Sequence, residues 1–194
     1  MLAHHPGVDL LVNNAGVALG GRFEQTTDDD FEWLFGVNFR GTVRTTRAFL
    51  PLLRRAPEAR LVNVSSLYGL IAPPGHTAYA ASKFAVRGFS EALRKELEGS
   101  TVGVTVVHPG GVATPIVEHA RVGATVAPDE LERHRRLYRK LLRMPPARAG
   151  EAIVRGIERR RPRLVVGIDA KAAALLERIA PVGYWALLRW RMRE

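Results

Sequence analysis

The 194-residue chain contains no cysteine, which excludes disulfides and thiolate metal sites and fits a reducing, cytoplasmic setting. Histidine is scarce, with six in all. No pair stands beside a carboxylate at metal-ligand spacing, and His4 and His5 are merely adjacent near the start, so no metal site is expected. Long apolar runs are missing too. No stretch approaches the roughly 18 apolar residues of a membrane span. Residues 1–7 have neither the basic region nor the apolar run of a secretory signal. Acidic residues are few, 19 Asp and Glu against 29 Lys and Arg, leaving a net charge of +10. Such a balance can mark a nucleic-acid or anionic-membrane surface. Here the basic clusters at 133–143 and 155–163 carry Glu132, Glu151 and Glu158 at helical spacing. They read as solvated helix faces, and no nucleic-acid partner is expected. What remains is ordinary for a globular chain, 46% apolar and 25% charged, and long enough for one domain with a sizeable core.

Along the chain, short apolar runs alternate with helical periods. Residues 8–13, Val-Asp-Leu-Leu-Val-Asn, read as a buried strand ending in Asn13 and Asn14. Thr27 followed by Asp28, Asp29 and Asp30 reads as a capped helix start. The following apolar face includes Asn38, flanked by Gly36 and Gly41, where a kink or close packing is expected. Residues 60–65 and 102–107 predict two further strands. Residues 77–97 predict a long helix ended by Gly99. His108 to Pro115 holds two prolines and two glycines and predicts a loop at a strand's carboxyl end. Residues 117–127 lack a period and are expected to form a mobile flap. Helices are predicted over 128–144 and 149–161, a strand over 163–167, and a helix capped by Asp169. The tail after Pro181 is aromatic and basic. It is expected to pack on the domain or on a second subunit, with peripheral membrane contact the less favoured reading. There is no internal repeat. The alternation predicts an α/β fold with a parallel sheet in one domain spanning 1–194, its tail helices covering about 169–194.

Residues 63–83 organise the rest. A strand runs into Ser65 and Ser66, a Pro- and Gly-rich loop follows, and a helix then opens carrying Tyr79 and Lys83. Residues at i and i+4 share a helix face. A phenol beside an ammonium, with a hydroxyl brought in from a strand end, makes a proton-donating site.

Taken in order, these features resemble the short-chain dehydrogenase/reductase family. Asn13-Asn14-Ala15-Gly16 after a strand is similar to its NNAG motif, and Tyr79-Ala-Ala-Ser-Lys83 to its YxxxK motif. Asn38 falls where the family has its catalytic asparagine. Ser66 lies 79 − 66 = 13 residues before the tyrosine, the family's common separation, and this favours it over Ser65. Pro109-Gly110 through Thr114 is similar to the family's PG loop. The resemblance covers about 8–170. It implies a partial Rossmann-like, doubly wound parallel sheet in three α/β/α layers. It also implies hydride transfer between NAD or NADP and a small-molecule alcohol or carbonyl. Tyr79 would be the general acid/base, with its proton made easier to lose by Lys83. Ser66 would hold the substrate oxygen, and Lys83 the nicotinamide ribose. Asn38 would support a proton relay or serve only as a packed structural residue. Asn14, Ala15, Gly16, Pro109, Gly110, Val112 and Thr114 would line the cofactor, together with Tyr79 and Lys83. A homo-oligomer is expected.

The family's first strands and the glycine-rich turn that holds the pyrophosphate have no counterpart here. Met1 stands just before the strand that carries NNAG. The sheet is therefore expected to lack its first strands and to leave an open edge along residues 8–13. Two readings follow: a catalytic portion of a reductase, or a truncated, inactive fragment acting as a binding or assembly module. The first is preferred because every catalytic residue of the family is present.

Overall fold

β-branched and leucine-rich runs become strands because both their faces can be buried, while their polar ends stay at the rim. A computed structural model describes residues 7–191. His4, His5 and the last tail residues, 192–194, lie outside the described residues. β1 is Leu10–Asn13 and β2 the short Leu19–Gly20. Helix α1, Asp28–Phe35, starts on a capping box in which the Thr27 hydroxyl accepts from the Asp30 N–H and the Asp30 carboxylate accepts from the Thr27 N–H. A π-helical turn over Gly36–Arg40 joins α1 to α2, Gly41–Leu53. The Gly41 N–H reaches back to the Gly36 carbonyl across that wider turn. The irregularity expected near the two glycines thus takes the form of a π-turn with Asn38 inside it.

β3 (Ala59–Val64) leads through a 3₁₀ turn, Leu67–Gly69, to α3 (Thr77–Glu96). β4 (Val102–Pro109) takes in His108 and Pro109, which the loop reading had placed outside the strand. Pro109 is tolerated there because it is the last residue of its strand. β5, Arg121–Val122, pairs in parallel with β2. The segment expected to be an unstructured flap is therefore tied to the chain after β1 by backbone hydrogen bonds, Arg121 N–H to Ala18 and Gly123 N–H to Gly20. α4 (Pro128–Leu141), α5 (Pro146–Glu158), β6 (Arg163–Val166), α6 (Ile168–Ile179) and α7 (Tyr184–Arg191) complete the order. α6 is preceded by Gly167 at φ +107, which takes the cap position expected of Asp169. Asp169 lies in the first turn instead.

β1, β3, β4 and β6 form one parallel sheet in that order. On one face, Leu61 and Val104 pack with Leu53, Leu50 and Leu93, the apolar sides of α2 and α3. On the other, Val62, Val107 and Val166 pack against Ala149, Ile153 and Ile157 of α5. Each fully buried Leu or Val contributes roughly 1.5–3 kcal/mol. The α5 layer stops short of the sheet edge. Leu10 and Val12 remain 47% and 43% exposed, while Leu11 between them packs on the α2/α3 side. Period-2 alternation makes this split unavoidable for an edge strand covered on one face only. Among the described residues β1 is an edge strand of this sheet, in the place of the expected open edge.

No helix among the described residues is long and apolar enough to cross a membrane. The tail helix packs on the chain itself: the Tyr184 hydroxyl accepts from the Ala72 N–H at 2.9 Å. The basic clusters are interleaved with ion pairs, Arg133–Asp129, Arg139–Glu132 and Arg155–Glu151, as solvated helix faces should be.

Candidate active site

The carboxyl ends of β1, β3 and β4 converge where the sheet order brings them together, and the predicted residues gather there. Ser66 leaves β3 in an extended conformation and caps the 3₁₀ turn, its hydroxyl accepting from the Tyr68 N–H at 3.1 Å. The same hydroxyl acts on the Tyr79 phenol, lowering its pKa against the larger effect of burial. Lys83, one turn further along α3, lies over the Tyr79 ring with Nζ 5.7 Å from its centroid, within cation–π range. Nζ also donates to the Val64 carbonyl at 3.2 Å. The neighbouring Ser65 points inward instead, donating to the Lys83 carbonyl at 2.8 Å. The two serines thus separate into one that faces the phenol and one that staples the strand to α3.

Gly69 explains how the turn comes so close to α3. A Cβ there would stand 2.2 Å from Ser65 Oγ and 2.8 Å from the Lys83 carbonyl oxygen. Only glycine fits.

Asn38 is 1% exposed. Its Oδ1 accepts from the Val17 N–H at 2.8 Å, and its Nδ2 donates to the Val17 carbonyl and to Ser82 Oγ. The side chain is therefore engaged in holding the segment after β1 against α3. Asn14, Ala15 and Gly16 in that segment are exposed at the rim. A Cβ on Gly16 would lie 3.2 Å from Lys83 Nζ and 3.4 Å from Asn38 Oδ1, which puts this backbone against the lysine. Asn13 belongs to the interior. It donates to Thr46 Oγ1 and to Asn63 Oδ1, and Asn63 donates on to Ser90 Oγ. This polar ladder ties α2, β1, β3 and α3 together with its donors and acceptors matched.

The loop after β4 is strapped in place. Gly110 N–H donates to Val166, Gly111 N–H to Asp169 Oδ2 at 2.6 Å, and Ala113 N–H to Met144. Val112 bridges Met144, and Thr114 is exposed at the rim. A Cβ on Gly110 would fall 2.3 Å from the Asp169 carboxylate, so the double glycine and Asp169 are one feature. Sequence reasoning assigned Asp169 to a helix cap and missed this contact, because 58 residues separate the partners.

Also unexpected is a chain of aromatic donors beside Tyr79. The Tyr68 and Tyr138 hydroxyls are 2.8 Å apart, and Tyr138 is hydrogen-bonded to His76 Nε2. His76 is held near pKa 4, chiefly by burial and secondarily by His134, so a neutral imidazole shares the Tyr138 hydroxyl with Tyr68. Tyr68 packs edge-on to Tyr79, with ring centroids 5.9 Å apart. The aromatic residues of α4 and of the loop before α3 were the available sequence signal, without any spacing rule to join them.

The electrostatics run against one expectation. Burial pushes the Tyr79 phenol up to about 12, and the Ser66 hydroxyl only partly offsets this. Burial pulls the Lys83 ammonium down to about 8. Lys83 does not bring the expected lowering: burial sets the direction, and the Tyr68 phenol adds to it. At neutral pH the phenol holds its proton and the lysine is largely charged.

Residues 1–124 match the family described as short chain dehydrogenase. The chain belongs to the short-chain dehydrogenase family. SadH of Mycobacterium tuberculosis is 41% identical over 192 residues, covering 97% of this chain and 68% of SadH. Cyclopentanol dehydrogenase of Comamonas testosteroni is 40% identical over 118 residues, 61% of this chain and 47% of that enzyme. A short-chain dehydrogenase/reductase from Burkholderia phymatum, solved in complex with NAD, superposes with a TM-score of 0.83 at 29% identity, covering 92% of this chain and 68% of its own. The family membership agrees with the Rossmann-like parallel sheet described above and makes the chain an oxidoreductase-family protein.

Proposed function

We propose that this chain carries the catalytic half of an NAD- or NADP-dependent oxidoreductase acting on a small-molecule alcohol or carbonyl. The observation that carries the reading is the Lys83 ammonium 5.7 Å from the Tyr79 ring centroid, with Ser66 lowering the pKa of the same phenol. The neighbour's complex with NAD and the relative named for cyclopentanol support the cofactor and substrate classes. The residues fit the nicotinamide end of such a cofactor: a glycine backbone that no Cβ could join without pressing on Lys83, an ammonium beneath it, and the strapped Pro109–Gly110 turn opposite. Asn14, Ala15, Gly16, Lys83, Pro109, Gly110, Val112 and Thr114 would hold it. A bound nicotinamide supplies the hydride donor or acceptor.

The chain's own groups do the rest. Ser66 orients the substrate oxygen toward Tyr79. The protonated phenol is poised to deliver its proton to an oxygen gaining negative charge, the direction of carbonyl reduction. Lys83 stabilises the phenolate left behind, because a nearby cation favours the charged form. Asn38, with its side chain engaged by Val17 and Ser82, holds the backbone around Lys83. A cytoplasmic location and a homo-oligomer belong to the same proposal. The completeness of the Ser66, Tyr79 and Lys83 arrangement favours an enzyme over an inactive assembly module.

The decisive experiment is Tyr79→Phe in the full protein, with nicotinamide oxidation followed against a panel of cyclic and aliphatic ketones. Turnover should fall by about 10²–10⁴-fold, the usual worth of a general acid, with nucleotide binding by fluorescence retained. Undiminished turnover refutes the assignment.

A further inference from the structure

His108 is 0% exposed, and nothing in the mechanism above uses it. It stands on β4 immediately before Pro109, at the point where pairing with β3 runs out. The last main-chain bond across the two strands there is Ser65 N–H to the Val107 carbonyl at 2.8 Å. Pro109, the last residue of β4, has no N–H to offer β3, and just beyond the strand the Gly110 N–H donates to Val166. The Ser66 carbonyl is met instead by the His108 side chain, with Nδ1 3.0 Å from the oxygen. Its other donor is the Gly69 N–H, also at 3.0 Å.

The geometry decides the tautomer. A carbonyl oxygen only accepts, so Nδ1 carries the proton. Burial holds the imidazole near pKa 4, which keeps it neutral. Nε2 is then a bare acceptor, buried with no partner among the described residues. The opposite tautomer would set an Nδ1 lone pair against the carbonyl oxygen and bury an unpaired N–H as well. An unpaired buried polar atom is rare enough to need a reason. The reason available here is the bond made by the ring's other nitrogen.

We propose that His108 is a positioning residue for Ser66: its Nδ1–H extends the β3–β4 pairing past Pro109 and fixes the peptide unit from which the Ser66 hydroxyl faces Tyr79. This rests on the role given to Ser66 above. The hydroxyl is held from one side by the Tyr68 N–H and the carbonyl from the other by Gly69 and His108. Without the imidazole, the carbonyl keeps only the bond from its own turn and no longer refers to β4. A displacement of about 1 Å at a reacting group can cost about 10²-fold in rate. The signature is therefore a lower kcat with little change in KM.

Two measurements test this. In the 194-residue chain labelled with ¹⁵N-histidine, His108 should show a protonated Nδ1 and an unprotonated Nε2 at pH 7. An Nε2–H tautomer overturns the proposal. In the full protein, His108→Asn, His108→Gln and His108→Leu are compared for turnover. Asparagine places an amide nitrogen at the same bond distance from Cβ as Nδ1, so it should retain activity within about threefold, whereas Gln and Leu should lose about 10-fold or more in kcat. Equal losses in all three overturn the proposal. The Leu and Gln losses should also vanish in a Ser66→Ala background, since a residue acting through Ser66 has nothing left to position. Losses that persist there indicate a general packing role and overturn it. An Nδ1–H tautomer together with a harmless Ser66→Ala would defeat the parent reading of Ser66 and this one with it. An Nε2–H tautomer with a costly Ser66→Ala would defeat this one alone.

Discussion

Adjacent serines just past β3 do different work. Ser65 is buried and bonds the main-chain carbonyl of Lys83, while Ser66 caps the 3₁₀ turn and acts on the Tyr79 phenol. Ser65→Ala should therefore lower stability by about 1 kcal/mol, the net worth of a buried hydrogen bond, and leave turnover nearly unchanged. Ser66→Ala removes the cap on the Tyr68 N–H and should cost about 0.5–2 kcal/mol, but unlike Ser65→Ala it should also lower turnover by about 10². Midpoint and kcat measured on both variants check the division; a reversed pattern would refute it. Gly69 is a second position where one atom decides. An added Cβ meets Ser65 Oγ and the Lys83 backbone at once, and the backbone cannot swing away. Gly69→Ala should cost about 1–3 kcal/mol as overpacking, read as a lower urea midpoint. The 13-residue spacing made Ser66 legible in the sequence, but the clash at Gly69 was not, because its partners lie on another element.

Among elements, α4 is the one whose place the sequence could not supply. Its helical period and its start at Pro128 are plain. Its docking depends on Tyr138 reaching Tyr68 and His76, which lie 70 and 62 residues away. Tyr138→Phe removes the hydroxyl that bonds both His76 Nε2 and Tyr68 in one step. The expected cost is about 1–3 kcal/mol, because a buried acceptor is left unpaired. Amide hydrogen exchange should quicken across α4 while β3 and β4 are unaffected. Unchanged protection in α4 would show that the aromatic chain does not hold it. The same reasoning explains 117–127. That segment has no internal period because its order comes from pairing β5 with β2, a relation between distant residues.

For the whole molecule, burial of ionisable groups sets the pH response. His76 and His108 both stay neutral down to about pH 4 in the folded state, against about 6.5 when unfolded. Between those values the unfolded chain takes up protons that the native state refuses. Stability is thus fully present above about 6.5 and is lost as pH falls toward 4, at about 1.4 kcal/mol per unit for each histidine. Lys83 acts in the alkaline range with the same slope: its folded value near 8 lies below the usual 10.4, so stability rises with pH between them. Urea midpoints measured from pH 4.5 to 7 should climb steeply and then flatten. A flat profile across the acid range would mean the imidazoles are not buried neutral.

The sequence by itself determined the chain order of the four main-sheet strands and the long helices, the capped start of α1 and the parallel α/β class, and its resemblance to the family proposed Ser66, Tyr79 and Lys83. The elements follow from local period and turn chemistry, which a chain carries in one dimension. Tertiary structure alone decided what those residues experience. Packing placed Asp169 on the Gly111 N–H and not at a helix cap, drew His108 into β4 against Ser66, and joined Tyr138 to His76. It also reversed the expected direction for Tyr79, because loss of water raises a phenol more than the Ser66 hydroxyl lowers it. Solvent exclusion is a property of the folded volume, and no spacing of residues along a chain states it.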